Sequence, residues 1–258
     1  MNTKELKGKW VLITGGAQRI GAAIAWLLAS VGMNVIIHYF TSADAAMELK
    51  KRIIKRFKVR VKLVRGNLTK PGIVEAIFRQ LKKKNVVPYA VLCNAAVFKP
   101  NDVRENMATN KHAPLRILKV WKEYMLAAGR KGSCIFYGDA WLGRGRKYPK
   151  KLKLEGYSRS KEWIHRRIHQ FARFGHKGIQ VAGILNGPII PLKTTSEEAI
   201  ATFARQLCST SDEKVPLIGP EAVAKATVLV LSNRAIHASS IFVDAGRGAV
   251  DAHVPAEH

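Results

Sequence analysis

Tyr157 and Lys161 stand four residues apart in Tyr157-Ser-Arg-Ser-Lys161, at the start of an amphipathic stretch. A helix there carries both on one face. A lysine beside a phenol favours the phenolate and makes the tyrosine a usable acid or base. The pair alone is also common on helix surfaces, and its weight comes from lying downstream of a second motif. That motif is Thr14-Gly15-Gly16-Ala17-Gln18-Arg19-Ile20-Gly21, set between the apolar run Trp10–Thr14 and a helix-forming Ala-Ala-Ile-Ala-Trp-Leu-Leu. Glycines at a strand-to-helix turn permit a tight bend and let backbone amides approach a pyrophosphate, and the helix N-terminus favours the anion. A plain glycine-rich turn would read the same in isolation; the order strand, turn, helix favours a nucleotide. The second apolar run ends His38-Tyr39-Phe40-Thr41-Ser42, with no acid before Asp44 to take a ribose 2′-hydroxyl. Arg19 is placed to meet extra phosphate, and both features favour NADP over NAD.

Residues so far apart in sequence need a scaffold to bring them together. Trp10–Thr14, Asn34–His38, Val59–Val64, Tyr89–Cys93, Ser133–Tyr137, Gln180–Leu185 and Ile241–Asp244 read as strands. Helix-period stretches lie near 19–31, 43–57, 71–84, 103–128, 157–175, 196–209 and 220–232. This alternation predicts an α/β fold: a Rossmann-like, doubly wound, seven-stranded parallel sheet with helices on both faces. No repeat, low-complexity tract or Pro/Ser linker divides the chain, so residues 1–258 read as a single domain.

Composition narrows the class further. The 258 residues carry 44 Lys+Arg and 18 Asp+Glu, a formal charge of +26, yet 47% are hydrophobic, enough to bury a substantial core, so the charge does not imply disorder. No stretch reaches the length of a spanning helix, and the N-terminus lacks the order of a signal peptide, so a cytoplasmic location is expected. Cys93, Cys134 and Cys208 are too few and scattered for a disulfide framework or zinc site. Between Lys50 and Arg65 nine of sixteen residues are basic, but the excess is spread along the chain. It argues for a solvated surface and faster encounter with anionic ligands more than for a nucleic-acid footprint. His165 and His169 have the i, i+4 spacing of metal ligands, but their arginine neighbours repel a cation and no third ligand is evident, so no metal is expected.

With these motifs in order, the chain resembles the short-chain dehydrogenase/reductase family over nearly its whole length. Thr14–Gly21 looks like the family's cofactor loop, Asn67-Leu68 like its adenine-side pair, and Cys93-Asn94-Ala95-Ala96 like its Asn-Asn-Ala-Gly turn. Asn110 matches the asparagine that supports a proton-relay water, Tyr157 and Lys161 the catalytic pair, and Asn186-Gly187-Pro188-Ile189 the segment beside the nicotinamide. Val243–Arg247 resembles the C-terminal motif. The resemblance implies NADPH as cofactor, a small-molecule substrate, and a homotetramer or dimer built partly on the helix of Tyr157, with Trp163 and Ile164 as interface candidates.

Departures from the family pattern are as informative. Asp139 falls where the catalytic serine belongs, which within the family marks pteridine reductases. Arg19-Ile20-Gly21, Phe98, the Asn110–Pro114 segment and Val215–Gly219 resemble the same branch, where the residue at Phe98 stacks on the pterin. Thr41, Ala96 and Asn186 depart from it. Asp139 and Tyr157 are 18 residues apart, more than the family's spacing, because of an insertion at about 143–153 in which six of eleven residues are basic. Residues 193–213 are expected to form a substrate lid. The implied activity is hydride transfer from NADPH to a dihydropterin, with Lys161 depressing the pKa of Tyr157. Phe98, Asp139 and Tyr157 would bind substrate, and the pyrophosphate would lie over Gly15–Gly21 with the 2′-phosphate near Arg19, Thr41 and Ser42. A 3-oxoacyl-carrier-protein reductase or other carbonyl reductase, and a silent dinucleotide-binding protein that holds RNA, are the alternatives.

Overall fold

A computed structural model describes residues 3–148, 150–187, 189 and 218–246. Seven strands form one parallel sheet: β1 (Trp10–Ile13), β2 (Asn34–Tyr39), β3 (Val61–Arg65), β4 (Pro88–Cys93), β5 (Gly132–Asp139), β6 (Ile179–Asn186) and β7 (Ser240–Val243). The order β3-β2-β1-β4-β5-β6-β7 reverses direction between β1 and β4. In open α/β sheets that reversal leaves a crevice beyond the strands' carboxyl ends, where ligands bind. Burial on both sides follows from the strand sequences. Val11 and Ile13 face one core with Ile24, Leu28 and Val228, while Trp10 and Leu12 face another with Phe78, Trp121 and Phe136. Such two-sided burial is what parallel sheets require.

The helices are α1 (Arg19–Ser30), α2 (Ala43–Phe57), α3 (Ile73–Lys83), α4 (Val103–Met107), α5 (Ala113–Ala127), α6 (Ala140–Gly143), α7 (Glu155–Arg167) and α8 (Pro220–Ser232). The single helix expected over 103–128 is instead interrupted by a π-helical turn, Ala108–His112. Pro114 explains the interruption. Without an N–H it cannot bond the carbonyl four residues back, that of Asn110. That carbonyl accepts from the indole Nε1 of Trp163 on α7 at 3.3 Å instead. The helix expected over 157–175 ends at Arg167 and continues as a 3₁₀ segment, Ile168–Lys177.

Trp163 and Ile164 are not interface residues. Trp163 packs edge-on against Phe136 with ring centroids 5.0 Å apart, and both side chains lie in the chain's own core. Their apolar character serves folding, not assembly. The expected lid at 193–213, the helix at 196–209, Cys208, Pro188, Val215–Leu217 and Arg247 lie outside the described residues.

Candidate active site

The glycine motif turns sharply between β1 and α1. Gly15 has φ +61°, and a Cβ on Gly21 would lie 2.2 Å from the Gly15 carbonyl oxygen and 2.8 Å from Asn94 Nδ2. Only a hydrogen at Gly21 lets the first turn of α1 approach the loop so closely. The Asn94 amide donates to the carbonyls of Thr14 and Gly15 at 3.0 and 3.1 Å, tying the end of β4 to the loop. Thr14 Oγ1 donates to Leu92 O and accepts from Ala95 N, closing the same seam. His38 closes the other side. Its Nδ1 accepts from the Gly15 amide at 3.3 Å and its Nε2 lies 3.0 Å from Gly66 O, so the proton resides on Nε2. Burial lowers the pKa of this imidazole to about 4, keeping it neutral.

A cleft of ≈ 980 Å³ opens over this seam. Gly15, Gln18, Arg19, Ile20 and Gly21 line it from the loop, and Tyr39, Phe40, Thr41 and Ser42 from the end of β2. Asn67, Leu68, Asn94, Ala95 and Ala96, also named from sequence, line it as well. The first amides of a helix have no intrahelical acceptor and carry positive potential. Gln18 caps α1 without a side-chain bond, so these amides face the cleft uncapped by that residue. Arg19 sits left-handed at φ +50°, a conformation that disfavours a side chain. Lys70 and Arg104 also line the cleft, cations the sequence reading missed. The glycine cradle, uncapped helix start and lining cations fit a phosphorylated dinucleotide.

At the carboxyl end of β5 stands the second half of the site. Asp139 caps α6, its Oδ1 accepting from the Leu142 amide at 3.2 Å. Its Oδ2 accepts two phenols, Tyr157 at 3.0 Å and Tyr148 at 2.7 Å. Burial raises the pKa of Tyr157 well above the ordinary tyrosine range, and the Asp139 carboxylate and Tyr148 raise it further. The sequence led to the opposite expectation, a phenol depressed by Lys161. In this arrangement the Lys161 ammonium donates to the Tyr137 carbonyl at 2.9 Å, and burial draws its own pKa down to about 8. A tyrosine held protonated is suited to giving a proton.

Phe98 is 47% exposed, and its ring meets that of Tyr157 edge-on at 4.7 Å. The turn that carries it is clamped by Asn110, whose Oδ1 accepts from Val97 N and whose Nδ2 donates to Val97 O, each at 2.9 Å. Nδ2 also donates to Ser160 Oγ on α7. These contacts hold the Phe98 turn against the Tyr157 helix.

Lys161, Gly187 and Ile189 are not among the residues lining the cleft. Gly187 follows Asn186, the register partner of Asp139 on β6, and Ile189 bridges to Ile218. Tyr148 escaped the sequence reading because its segment was read for charge. Its signal was being the one aromatic in the insertion at 143–153.

Comparison with known proteins bears on the same frame. A family model described as enoyl-(acyl carrier protein) reductase matches residues 15–247. Short-chain dehydrogenase reductase 5 of Arabidopsis thaliana is 25% identical over 264 residues, covering 97% of this chain and 98% of the relative. Four other curated relatives are matched over only 21–39% of their own length. The acetoin dehydrogenase YohF of Salmonella typhimurium superposes with a TM-score of 0.79 at 16% identity, over 97% of this chain and 99% of that one. A 3-oxoacyl (acyl-carrier-protein) reductase of Agrobacterium tumefaciens C58, solved with NADP bound, gives 0.77 at 21% identity, over 93% and 94%.

Proposed function

The chain belongs to the short-chain dehydrogenase/reductase family, and from that premise we propose that it is an NADPH-dependent reductase whose substrate is a planar C=N heterocycle of the dihydropterin class. The observation that carries this reading is the Asp139 carboxylate accepting the Tyr157 hydroxyl at 3.0 Å, with the half-exposed Phe98 ring against the same tyrosine. An acceptor at that position binds ring N–H groups in a way a serine does less well, and Phe98 offers a face for stacking. The NADP-bound neighbour supports the cofactor.

Gly15–Gly21 would take the pyrophosphate, Arg19, Thr41 and Ser42 the 2′-phosphate, Asn67 and Leu68 the adenine side, and Lys161 the nicotinamide ribose. Asn94, Ala95, Ala96, Gly187, Pro188 and Ile189 would complete the cofactor's surroundings. Bound there, the reduced nicotinamide supplies hydride. Tyr157 gives the proton, directly or through water supported at Asn110, and Asp139 orients both the phenol and the substrate. Its high pKa keeps Tyr157 in the acid form that reduction consumes. Assembly as a dimer or tetramer would use surfaces other than Trp163 and Ile164.

A second reading, reduction of a 3-oxoacyl thioester, draws on the description of the matching family and on the same neighbour. NADPH oxidation separates the two, with 7,8-dihydrobiopterin or dihydromonapterin against an acetoacetyl thioester, for wild type and Asp139→Ser. Pterin turnover that falls about a hundredfold or more in Asp139→Ser is the expected result, the scale of losing one positioned acid–base partner. Thioester turnover without pterin turnover would overturn the pterin reading.

A further inference from the structure

The basic insertion is anchored onto the site at several points. At its start the Arg144 guanidinium grips Asp244 beyond β7, with Nε–Oδ2 at 3.0 Å and Nη2–Oδ1 at 3.3 Å. Trp141, on α6, donates its indole N–H to Lys147 O at 3.3 Å, and its ring stacks on Tyr148 at an interplanar angle of 20°. Tyr148 is thereby carried over the end of β5, where its hydroxyl donates to Asp139 Oδ2 at 2.7 Å. Its ring centroid lies 6.1 Å from that of Tyr157. Trp141, Tyr148, Tyr157 and Phe98 thus form a continuous run of rings around the carboxylate.

We propose that Tyr148 is a positioning residue of the reaction: through its hydrogen bond to Oδ2 it fixes Asp139 in the orientation that receives Tyr157. The insertion serves to deliver it. A carboxylate carbon is free to rotate about its terminal torsion, which is broad and roughly two-fold. Two points already hold the group, the Leu142 amide on Oδ1 and Tyr157 on Oδ2. But Tyr157 must release its bond when it gives its proton away. Tyr148 supplies a donor to the same oxygen that persists through that moment, so the carboxylate remains aimed and partnered while the proton moves. This inference rests on the reductase reading for its catalytic consequence, and on geometry alone for the carboxylate's partner.

Among the described residues, the titratable groups facing Asp139 are Tyr148 from the insertion and Tyr157 and Lys161 from α7. Its β6 neighbour Asn186 does not titrate, and Arg144 is turned to Asp244. Removing the Tyr148 donor leaves the carboxylate held at two points, one of which Tyr157 gives up during the reaction.

The test is Tyr148→Phe, which keeps the ring stack and removes only the hydroxyl. Tyrosine labelled with ¹³C at Cζ reports the carboxylate through the Tyr157 resonance, with Asp139→Asn as the assignment control. The Tyr157 resonance is expected to move in Tyr148→Phe toward its position in Asp139→Asn, because the carboxylate is no longer held in place. On the substrate that wild type reduces, kcat is expected to fall about tenfold, with KM and NADPH affinity nearly unchanged. Lys151→Ala, a charge change in the same insertion, should leave both readouts where they are. A Tyr157 resonance left unmoved by Tyr148→Phe, or one that does not respond to Asp139→Asn at all, would overturn the proposal. A wild type that turns over neither class of substrate would sink the reductase reading instead. The Tyr157 resonance, which needs no substrate, would still decide the role of Tyr148.

Discussion

Lys161 is the residue at which the proposed function and stability pull hardest against each other. Its ammonium is buried with a carbonyl acceptor, and burial moves its pKa from an ordinary 10.5 to about 8. The lowered value means that folding disfavours the charged form, so at neutral pH the lysine destabilises the fold. We expect Lys161→Met to abolish turnover while raising unfolding free energy at pH 7 by about 1–3 kcal/mol, less the lost bond to Tyr137. In the wild type that destabilisation is complete below pH 8 and fades as pH rises toward 10.5, where the lysine is neutral in both states. Denaturant melts at pH 7 and pH 10 check this: the variant's advantage should shrink at the higher pH, and a constant difference would show that desolvation is not its origin. Asp139 has a milder conflict, since one carboxyl both caps α6 and accepts two phenols.

The strand–turn–helix unit from β1 to α1 works as one element because α1 starts against the loop it follows. Gly21 permits that contact, and its absent Cβ is what allows the Gly15 carbonyl and the Asn94 amide to sit where they do. Gly21→Ala should force the turn open, destabilising the protein by about 1–3 kcal/mol. NADPH affinity should fall by roughly tenfold or more, the equivalent of about 1.4 kcal/mol. Calorimetric titration with NADPH and a thermal melt measure both, and an unchanged affinity would argue that the loop is not the pyrophosphate cradle. The interrupted helix from α4 to α5 is the other element whose irregularity has a purpose. Pro114 frees the Asn110 carbonyl for Trp163 while the Asn110 side chain holds the Phe98 turn. The result fastens together three segments that border the site.

Across the whole molecule, a charge of +26 sits on a fold whose cleft takes its cations from separate elements, Arg19, Lys70 and Arg104. A surplus of this size attracts a multiply charged dinucleotide over distances that salt screens, with a Debye length of about 8 Å at physiological ionic strength. The association rate of NADPH, followed by stopped-flow fluorescence, should fall about tenfold between about 20 and 500 mM salt, with dissociation changing much less. A rate independent of salt would assign the positive charge to some other purpose.

The seven-strand alternation, the glycine turn, and the Tyr157–Lys161 pair were legible in the sequence because each is a local signal. Period, turn chemistry and one-turn spacing depend on neighbours along the chain. The strand order, the π-helical turn and the burial of Trp163 and Ile164 came from the tertiary structure, because they depend on which elements meet. Trp163 looked like an interface residue until Phe136 and the Asn110 carbonyl met it inside the core. The chemistry divides in the same way. The family resemblance pointed to Asp139 as standing where a serine is expected, an expectation of position alone. Only packing could bring Tyr148 from a basic insertion onto the same carboxylate oxygen as Tyr157, and turn the expected depression of Tyr157's pKa into a rise, because burial and hydrogen-bond partners are set by the folded surroundings.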